Sequence, residues 1–249
     1  MILTVDIGNT NTNIGTFQGK RLTSHFCIDN RSLIQQKNTL PLNSSILNRA
    51  ENILIASVNP KTESTFLKLL HKKNVKRALK IGSEIKIKMP ILVENPEKVG
   101  IDRLLNSLAA FRRTKMSTIV IDFGTAITID IVSKRGEFLG GVILPGIKTS
   151  AHALNKQTAL LGEIDIKKPA RIIGKNTEEA ICSGIYIGTV GSVIHLIKEI
   201  RKELRGIKYI IATGGDAGRF KAEIPQIDKY IRHLTLEGMR TAFSENFNL

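Results

Sequence analysis

Two segments of the chain carry the same order of chemically useful residues. The first reads MILTVDIGNTNTNIGTF and the second STIVIDFGTAITIDIVS, and the aspartates at their centres, Asp6 and Asp122, lie about half of the 249 residues apart. A carboxylate at a strand end can hold Mg²⁺ through water, and the donors of a Gly-Thr turn can bind phosphate oxygens. The repeated motif therefore predicts two turns that bind one nucleotide.

Both turns contain residues suited to close contact with an anion. Gly8 and Gly124 can adopt positive φ and let backbone N–H groups approach a ligand. Hydroxyl and amide donors surround them: Asn9, Thr10, Asn11, Thr12 and Thr125. An alternative explanation is a pair of ordinary hairpins with glycine-containing turns.

A third glycine-rich turn comes after a short apolar strand late in the chain. Its sequence is Ile-Ile-Ala-Thr-Gly-Gly-Asp-Ala, and its glycines are Gly214 and Gly215. Two adjacent glycines would let an adenine or a ribose lie against bare backbone. Two phosphate turns and one nucleoside turn resemble the arrangement in the superfamily of actin, the sugar kinases and Hsp70.

The elements that must position these turns are those of an α/β fold. Each Asp-Gly motif lies between two β-rich runs, and helix-start signals occur at Asn59-Pro60, Asn95-Pro96 and Asn176. We expect two duplicated ribonuclease-H-like lobes, mixed sheets flanked by helices, with a cleft between them. The expected boundaries are 1–114 for the N-terminal lobe with the first phosphate turn, and 115–249 for the C-terminal lobe with the other two turns and a dimer helix.

Composition argues against several classes of function, although the net charge keeps a nucleic-acid-binding protein as an alternative. The net charge is +15, but the basic residues are scattered, aromatic residues make up 5% and Trp is absent, so a nucleic-acid platform is not expected. No apolar run approaches the roughly 18 residues of a membrane span. Cys27 and Cys182 have neither disulfide nor metal-ligand spacing. The sequence predicts a cytoplasmic protein that binds neither nucleic acid nor membrane.

Six motifs, taken in order, make the resemblance more specific. They are D-I-G-N-T-N-T, G-I-D-R, D-F-G-T-A, G-G-V-I-L-P-G, G-K-N-T and T-G-G-D-A. In this order and over this length, the chain resembles the type III pantothenate kinases. The resemblance implies ATP-dependent phosphorylation of pantothenate to 4'-phosphopantothenate, the first step of coenzyme A biosynthesis. It also implies ATP with Mg²⁺, a monovalent cation (K⁺ or NH₄⁺) and a homodimer.

The resemblance assigns roles to individual residues. ATP would contact Asp6, Ile7, Gly8, Asn9, Thr10, Asn11, Thr12, Asn13, Thr125, Gly214 and Gly215. Pantothenate would contact Val93, Gly100, Ile101, Asp102, Arg103 and Thr177. Asp102 would be the general base, Asp122 would ligate the monovalent cation, and Asp6 would hold Mg²⁺ through water.

The chemistry of Asp102 and Arg103 agrees with these roles. A carboxylate in the first turn of a helix can accept a substrate proton, and the arginine beside it can hold an anion. A surface ion pair would give the same residue pattern. One position departs from the family: members typically have a tyrosine seven positions before the glycine of G-x-D-R, and here it is Val93. That difference keeps a kinase of another small alcohol open, alongside a non-catalytic, nucleotide-binding regulatory relative.

Small residues lie three or four positions apart along the helix that begins after Asn176. They are Ala180, Gly184, Gly188, Gly191 and Ser192. Such a stripe lets another backbone approach closely. It predicts either packing within its own lobe or, as the resemblance implies, the interface of a homodimer.

Overall fold

Two five-stranded sheets with the same topology account for the repeat in the sequence. In the computed structural model, which describes residues 1–35, 42, 44–73, 75, 78–157 and 164–248, strands β1 to β5 are Ile2–Ile7, Asn11–Gln18, Arg21–Asp29, Asn52–Ser57 and Leu79–Lys80. Strands β6 to β10 are Thr118–Phe123, Ala126–Val132, Phe138–Pro145, Tyr209–Thr213 and Lys229–Tyr230.

The strand order is the same in both sheets. It is β3-β2-β1-β4-β5 in the first, and β8-β7-β6-β9-β10 in the second when read in the matching direction. The central strand, β1 or β6, runs antiparallel to the strand after it and parallel to the strand on its other side. The duplicated α/β architecture expected from the sequence is thereby confirmed.

Seven helices flank the sheets in the described part of the chain. They are α1 (Asn30–Gln35), α2 (Ser44–Arg49), α3 (Pro60–Lys72), α4 (Ile101–Thr114), α5 (Ile147–Gln157), α6 (Thr177–Glu203) and α7 (Leu234–Phe247). Two predicted helix starts are confirmed, because the Asn59 side chain accepts from the Thr62 N–H and the Asn176 side chain accepts from the Glu179 N–H.

The third predicted helix start was wrong. Asn95 makes no capping hydrogen bond, and Pro96–Lys98 form only a short 3₁₀ turn. Val99 then has extended backbone, with φ −72° and ψ 127°, which interrupts helical geometry. As a result α4 begins at Ile101, and Asp102 lies in its first turn as expected.

The first unit consists of Met1–Arg113 and His233–Leu249. The last helix, α7, belongs to this unit because Arg113 forms an ion pair with Glu237 at 2.6 Å and Gly238 lies directly against the Leu105 carbonyl. A methyl group on Gly238 would lie 2.2 Å from that oxygen. The structure therefore differs from the expected lobe 115–249, which placed this helix in the C-terminal half.

The second unit consists of Thr114–Arg232. Its core is formed by isoleucines of β6, β7 and β9 packed against the buried face of α6, which includes Tyr186 and Val193. Burial raises the pKa of the Tyr186 phenol, whose O–H donates to the Arg219 carbonyl at 2.7 Å.

The expectation about membrane-length segments was wrong for α6. By length and composition this helix could cross a membrane, and only 22% of its most apolar stretch is buried. Gly, Ser and Thr interrupt the apolar residues but add no charge, which is why the sequence shows no uninterrupted apolar run there. The core helix of a soluble protein can have the same properties, so the feature is weak evidence of a membrane span.

Candidate active site

The first turn joins β1 to β2, and one buried side chain holds its carbonyl groups. The Asn30 Nδ2 donates to the Gly8 oxygen at 2.8 Å and to the Asn9 oxygen at 3.2 Å. The Asn30 backbone N–H donates to the Thr10 oxygen at 2.9 Å. All three carbonyl groups of the turn are therefore hydrogen-bonded to one residue, which is 4% exposed.

This arrangement sets the direction of the N–H groups of the turn. The chain has no cis peptide among its described residues, and in a trans peptide the C=O and the following N–H point in opposite directions. Because the Gly8 and Asn9 carbonyls face Asn30, the N–H groups of Asn9 and Thr10 point away from it. Two successive N–H groups with a common direction suit a phosphate oxygen.

Two expectations about this turn were wrong. Gly8 does not have positive φ; it is needed for space, because a methyl group there would lie 3.1 Å from the Asn11 oxygen. Thr12 does not offer its hydroxyl to a ligand, because the side chain is fully buried and the hydroxyl donates to the Asn30 Oδ1 at 2.7 Å.

Other residues of the first motif have distinct positions. Asp6 lies in β1 at partial exposure, opposite Asn13 in β2. The Ile7 side chain is buried in the core, whereas Asn9, Thr10 and Asn11 are exposed. Ile7 can therefore contact a nucleotide only through its backbone, and the exposed side chains lie where a ligand could reach them.

The second turn is shorter, and a backbone N–H and a threonine hydroxyl hold its last carbonyl. Gly124 and Thr125 join β6 to β7, and the Thr125 oxygen accepts from the Gly146 N–H at 3.0 Å and from the Thr149 hydroxyl at 2.6 Å. Gly146 packs so closely that a methyl group there would lie 2.2 Å from the Gly124 oxygen. This turn is therefore held against the start of α5.

The third turn meets the second at Asp122. A methyl group on Gly214 would lie 2.4 Å from the Asp122 Oδ1 and 2.5 Å from the Phe123 oxygen, so both oxygens face Gly214. The positive φ expected at Gly124 occurs instead at Gly214, at +95°. A carboxylate beside a carbonyl oxygen is a donor pair that suits a hard cation, so these residues fit a monovalent ion.

The two glycines of the third turn have different surroundings. Gly214 packs against the end of β6, whereas a methyl group on Gly215 would meet no atom within 4 Å. Gly215 therefore has the open face expected for an adenosine contact. The Asp216 N–H donates to the Phe123 oxygen at 3.1 Å, which fastens this turn to the second one.

Asp102 and Arg103 lie at the start of α4. The Asp102 Oδ1 accepts from the Arg103 N–H at 2.9 Å. It bends back over Gly100, where a methyl group would lie 2.5 Å from that oxygen. The glycine of G-x-D-R is thus explained by the room that the carboxylate needs, and the carboxylate is partly exposed.

The topology brings α4 to the same sheet edge as the first turn. β1, β4 and β5 are parallel, so their carboxyl ends share one edge. The first turn comes after β1. A methyl group on Gly82, two residues after β5, would lie 3.4 Å from the Ile101 side chain. Since β5 is two strands from β1, the end of β5 lies about 10 Å along this edge from the end of β1, and the Ile101 side chain lies near the segment that follows β5.

The remaining residues assigned to the pocket belong to different units. Val93 is partly exposed in the irregular segment before the 3₁₀ turn, and Thr177 is the first residue of α6. On α6, Gly184, Gly188 and Gly191 would meet no atom within 4 Å if they carried methyl groups. These three glycines therefore have open space beside them, whereas Ala180 packs against Gly174 of the same unit. Gly184, Gly188 and Ser192 line a surface groove with Leu144 and Pro145.

Metal binding by protein side chains alone is not supported. Within the described ranges, no group of three or more His, Cys, Asp or Glu residues could hold a metal ion. A divalent ion held by one carboxylate, water and substrate phosphates fits this finding, because Mg²⁺ in kinases usually binds that way.

Sequence reasoning missed two residues that shape the site. Asn30 lies 20 or more positions from the turn it holds, and no local motif marks it. Gly146 is part of a recognised motif, but its contact with the second turn depends on the pairing of β7 with β8.

Comparison with known proteins gives consistent results. The sequence profile of the type III pantothenate kinase family matches residues 2–199. A type III pantothenate kinase of Syntrophotalea carbinolica is 36% identical over 254 residues, covering 99% of both chains.

Solved structures agree on the architecture. A candidate Baf family transcriptional activator from Campylobacter jejuni has a TM-score of 0.62 at 25% identity, covering 99% of this chain and 100% of that one. A candidate N-acetylglucosamine kinase from Porphyromonas gingivalis has a TM-score of 0.54 at 14% identity, with 99% and 100% coverage, and shows the shared fold alone.

Proposed function

The chain belongs to the type III pantothenate kinase family, and on this premise we propose how its residues carry out the reaction. The protein phosphorylates pantothenate with ATP and a divalent metal ion, giving 4'-phosphopantothenate in the first step of coenzyme A biosynthesis. The roles of the individual residues are our proposal.

The first turn binds the triphosphate. The N–H groups of Asn9 and Thr10 donate to phosphate oxygens, and Asp6, Asn11 and Asn13 form the rest of the cradle, with the side chains of Ile7 and Thr12 buried behind it. Asp6 holds Mg²⁺ through water, which neutralises charge on the phosphates. Thr125 also contacts the triphosphate, and the Gly214-Gly215 turn contacts adenosine, chiefly through the open face of Gly215.

Asp102 is the general base for the transfer. Its carboxylate takes the proton of the primary hydroxyl of pantothenate as the hydroxyl oxygen bonds to the γ-phosphorus, and the bond to the bridging oxygen breaks to release ADP. Gly100 gives the carboxylate room to face substrate. Arg103 holds the pantothenate side of the reaction, since a guanidinium suits an anionic group.

Asp122 ligates a monovalent cation, K⁺ or NH₄⁺. Its carboxylate lies beside the Phe123 carbonyl oxygen, and these donors supply partial and full negative charge at one place. A bound cation there would neutralise charge near the second turn. The proposal assigns Mg²⁺ to Asp6 and the monovalent ion to Asp122.

The observation that carries the function is the first turn, with its carbonyls held by Asn30 and its N–H groups directed away. The test is ADP release from ATP and Mg²⁺, with and without pantothenate, in potassium and in sodium buffer. We expect turnover that requires pantothenate and is faster in potassium. Asp102→Asn should lower kcat by about 10²- to 10⁴-fold while ATP binding persists.

The residue at position 93 bears on the choice of substrate. It stands where the family usually has tyrosine, and with Gly100, Ile101 and Thr177 it is assigned to the pantothenate pocket. If ATP binds but pantothenate gives no ADP, a panel of small alcohols distinguishes a kinase of another substrate from a nucleotide-binding regulator. Turnover of one alcohol supports the former, and no turnover of any supports the latter.

We also propose a cytoplasmic homodimer in which a second copy covers α6. The exposed stripe around Gly184 and Gly188 and the neighbouring exposed Ile187 support this assignment. Sedimentation should give a mass of twice 27.5 kDa. A monomer that floats with lipid vesicles would instead assign α6 to a membrane.

A further inference from the structure

Asn30 uses both ends of its side-chain amide within the first motif. Its Nδ2 contacts the Gly8 and Asn9 oxygens at 2.8 and 3.2 Å, and its Oδ1 accepts from the Thr12 hydroxyl at 2.7 Å. Two carbonyl oxygens can face only the NH₂ end, so the orientation of the amide is determined by its partners. Asn30 is thus fixed at three points of its side chain, in a place that water scarcely reaches.

The same residue also acts through its backbone. The Asn30 N–H donates to the Thr10 oxygen, so three consecutive carbonyls of the turn face one residue. Asn59 assists at the edge, since its Nδ2 reaches the Asn9 oxygen at 3.3 Å. Asn59 contacts only one of the three carbonyls, and therefore Asn30 is the principal constraint.

We propose that Asn30 is a positioning residue that sets the direction of the Asn9 and Thr10 N–H groups for the terminal phosphates of the nucleotide. The inference rests on the proposed nucleotide-binding function. Asn30 is not placed in contact with substrate; it acts by holding the carbonyl side of two peptides whose N–H sides face the ligand.

This role has a signature that general stabilisation lacks. The oriented N–H groups bind phosphates, which adenosine lacks. Loss of this orientation should therefore lower the affinity for ATP and ADP and leave the affinity for adenosine nearly unchanged. Asn30→Asp keeps the size of the side chain and an acceptor for Thr12. It replaces the NH₂ group with an oxygen that repels both carbonyls, so the two peptides should rotate.

The experiment measures Kd for ATP, ADP, AMP and adenosine by calorimetry on the full chain. For Asn30→Asp we expect about a 10- to 100-fold loss of affinity for ATP and ADP, as for the loss of one charge-assisted hydrogen bond, and less than about twofold for adenosine. Thr12→Val removes only the hydrogen bond to the Asn30 Oδ1. It should give a smaller loss of affinity, again larger for ATP and ADP than for adenosine.

Asn246→Asp is the matched control. Asn246 also donates its Nδ2 to two carbonyls, of Lys86 at 2.7 Å and Ala242 at 2.8 Å, and its Oδ1 accepts from the Lys86 N–H. It belongs to the same unit and is assigned no part of the site. The substitution should cost stability in the same way and leave all four affinities unchanged.

Three results separate the outcomes. An equal loss for all four ligands, or no loss, would overturn the role of Asn30. If Asn30→Asp does not fold, the Kd values of Thr12→Val for the same four ligands decide the question. If the unmodified protein shows no gain in affinity from adenosine to ATP, the proposed nucleotide site itself fails, which is a different result.

Discussion

The turn after β1 and the turn after β6 share the sequence Asp-x-Gly at the strand end. They differ in the groups that hydrogen-bond to their carbonyl oxygens. In the first, a side-chain amide and a backbone N–H of Asn30 face the carbonyls, and two N–H groups point the other way. In the second, the N–H groups of Gly146 and Asp216 and the Thr149 hydroxyl face the carbonyls, and the Asp122 carboxylate lies beside the Phe123 oxygen.

On our proposal, the same hairpin serves ligands of opposite charge in the two units. Directed N–H groups present partial positive charge, which suits phosphate. A carboxylate grouped with a carbonyl presents negative charge, which suits a cation. The duplicated hairpin fixes where each turn lies, and residues distant in sequence decide what it can bind.

The largest expected effect comes from exchanging the two aspartates for asparagine separately. Asp6→Asn should raise the Mg²⁺ concentration required for activity and lower kcat/KM by about 100-fold or more. The reason is that the variant lacks the carboxylate that would hold Mg²⁺ through water. Asp122→Asn should abolish the difference between potassium and sodium buffer. Titrations of each variant with Mg²⁺ and with K⁺ measure this, and equal shifts in both titrations for both variants would contradict the assignment.

The next effect concerns the packing of the third turn on the second. Gly214→Ala should lower the free energy of unfolding by about 3 kcal/mol, because φ is +95° and the methyl group would lie 2.4 Å from Asp122 Oδ1. Gly215→Ala, with open space around it, is the control and should change stability by less than about 0.5 kcal/mol. Denaturant titration followed by tyrosine fluorescence reports on this unit, since Tyr186, Tyr209 and Tyr230 all lie in it.

A smaller effect compares the motif glycines directly. Gly8→Ala should destabilise by about 1 kcal/mol, because the methyl group would lie 3.1 Å from the Asn11 oxygen. Gly124→Ala, whose nearest contact would be at 3.5 Å, should be neutral or stabilising by about 0.5 kcal/mol. Urea unfolding followed by circular dichroism tests the order, and a larger loss at Gly124 would reverse the comparison.

The smallest expected effect is a loss of stability at alkaline pH that arises from Tyr230 in the second unit. Burial raises the pKa of Tyr230 to about 12 from an ordinary value of 10.0. The unfolded chain releases this proton first, so the contribution of Tyr230 to stability is complete below pH 10 and is lost between pH 10 and about 12. Tyr230→Phe should flatten the fall in stability over that range, as measured by urea unfolding at several pH values. An unchanged slope would show that other groups cause the fall.

The fold was predictable where the signal was local and repeated. The motifs at Asp6 and Asp122 predicted two similar units, and the asparagines at 59 and 176 predicted helix starts that the structure confirms. The prediction at Asn95 was wrong because the extended backbone of Val99 ends the 3₁₀ turn after three residues, and no residue type in this segment marks that change. The role of Asn30 was not evident from the sequence, because it depends on the register that places β3 beside β2.

The exposure of the residues in the candidate turn was predictable for some of them and not for others. The exposed residues Asn9, Thr10 and Asn11 are where the motif implied. Thr12 has the same chemistry as Thr10, but it lies one position into β2 and its side chain therefore points into the core. Thr10 lies in the turn and Thr12 in the strand, and the exact strand start, which decides between these two threonines, was not evident from the sequence.

The placement of α7 has a consequence for how the protein is made. A ribosome completes all of Thr114–Arg232 before it synthesises the helix that packs on Leu105 and pairs with Arg113. The second unit can therefore fold during translation as a continuous segment, whereas the first unit, although its synthesis begins earlier, must wait for the last residues. The nascent chain would thus complete the unit with the turn after β6 before the unit with the turn after β1.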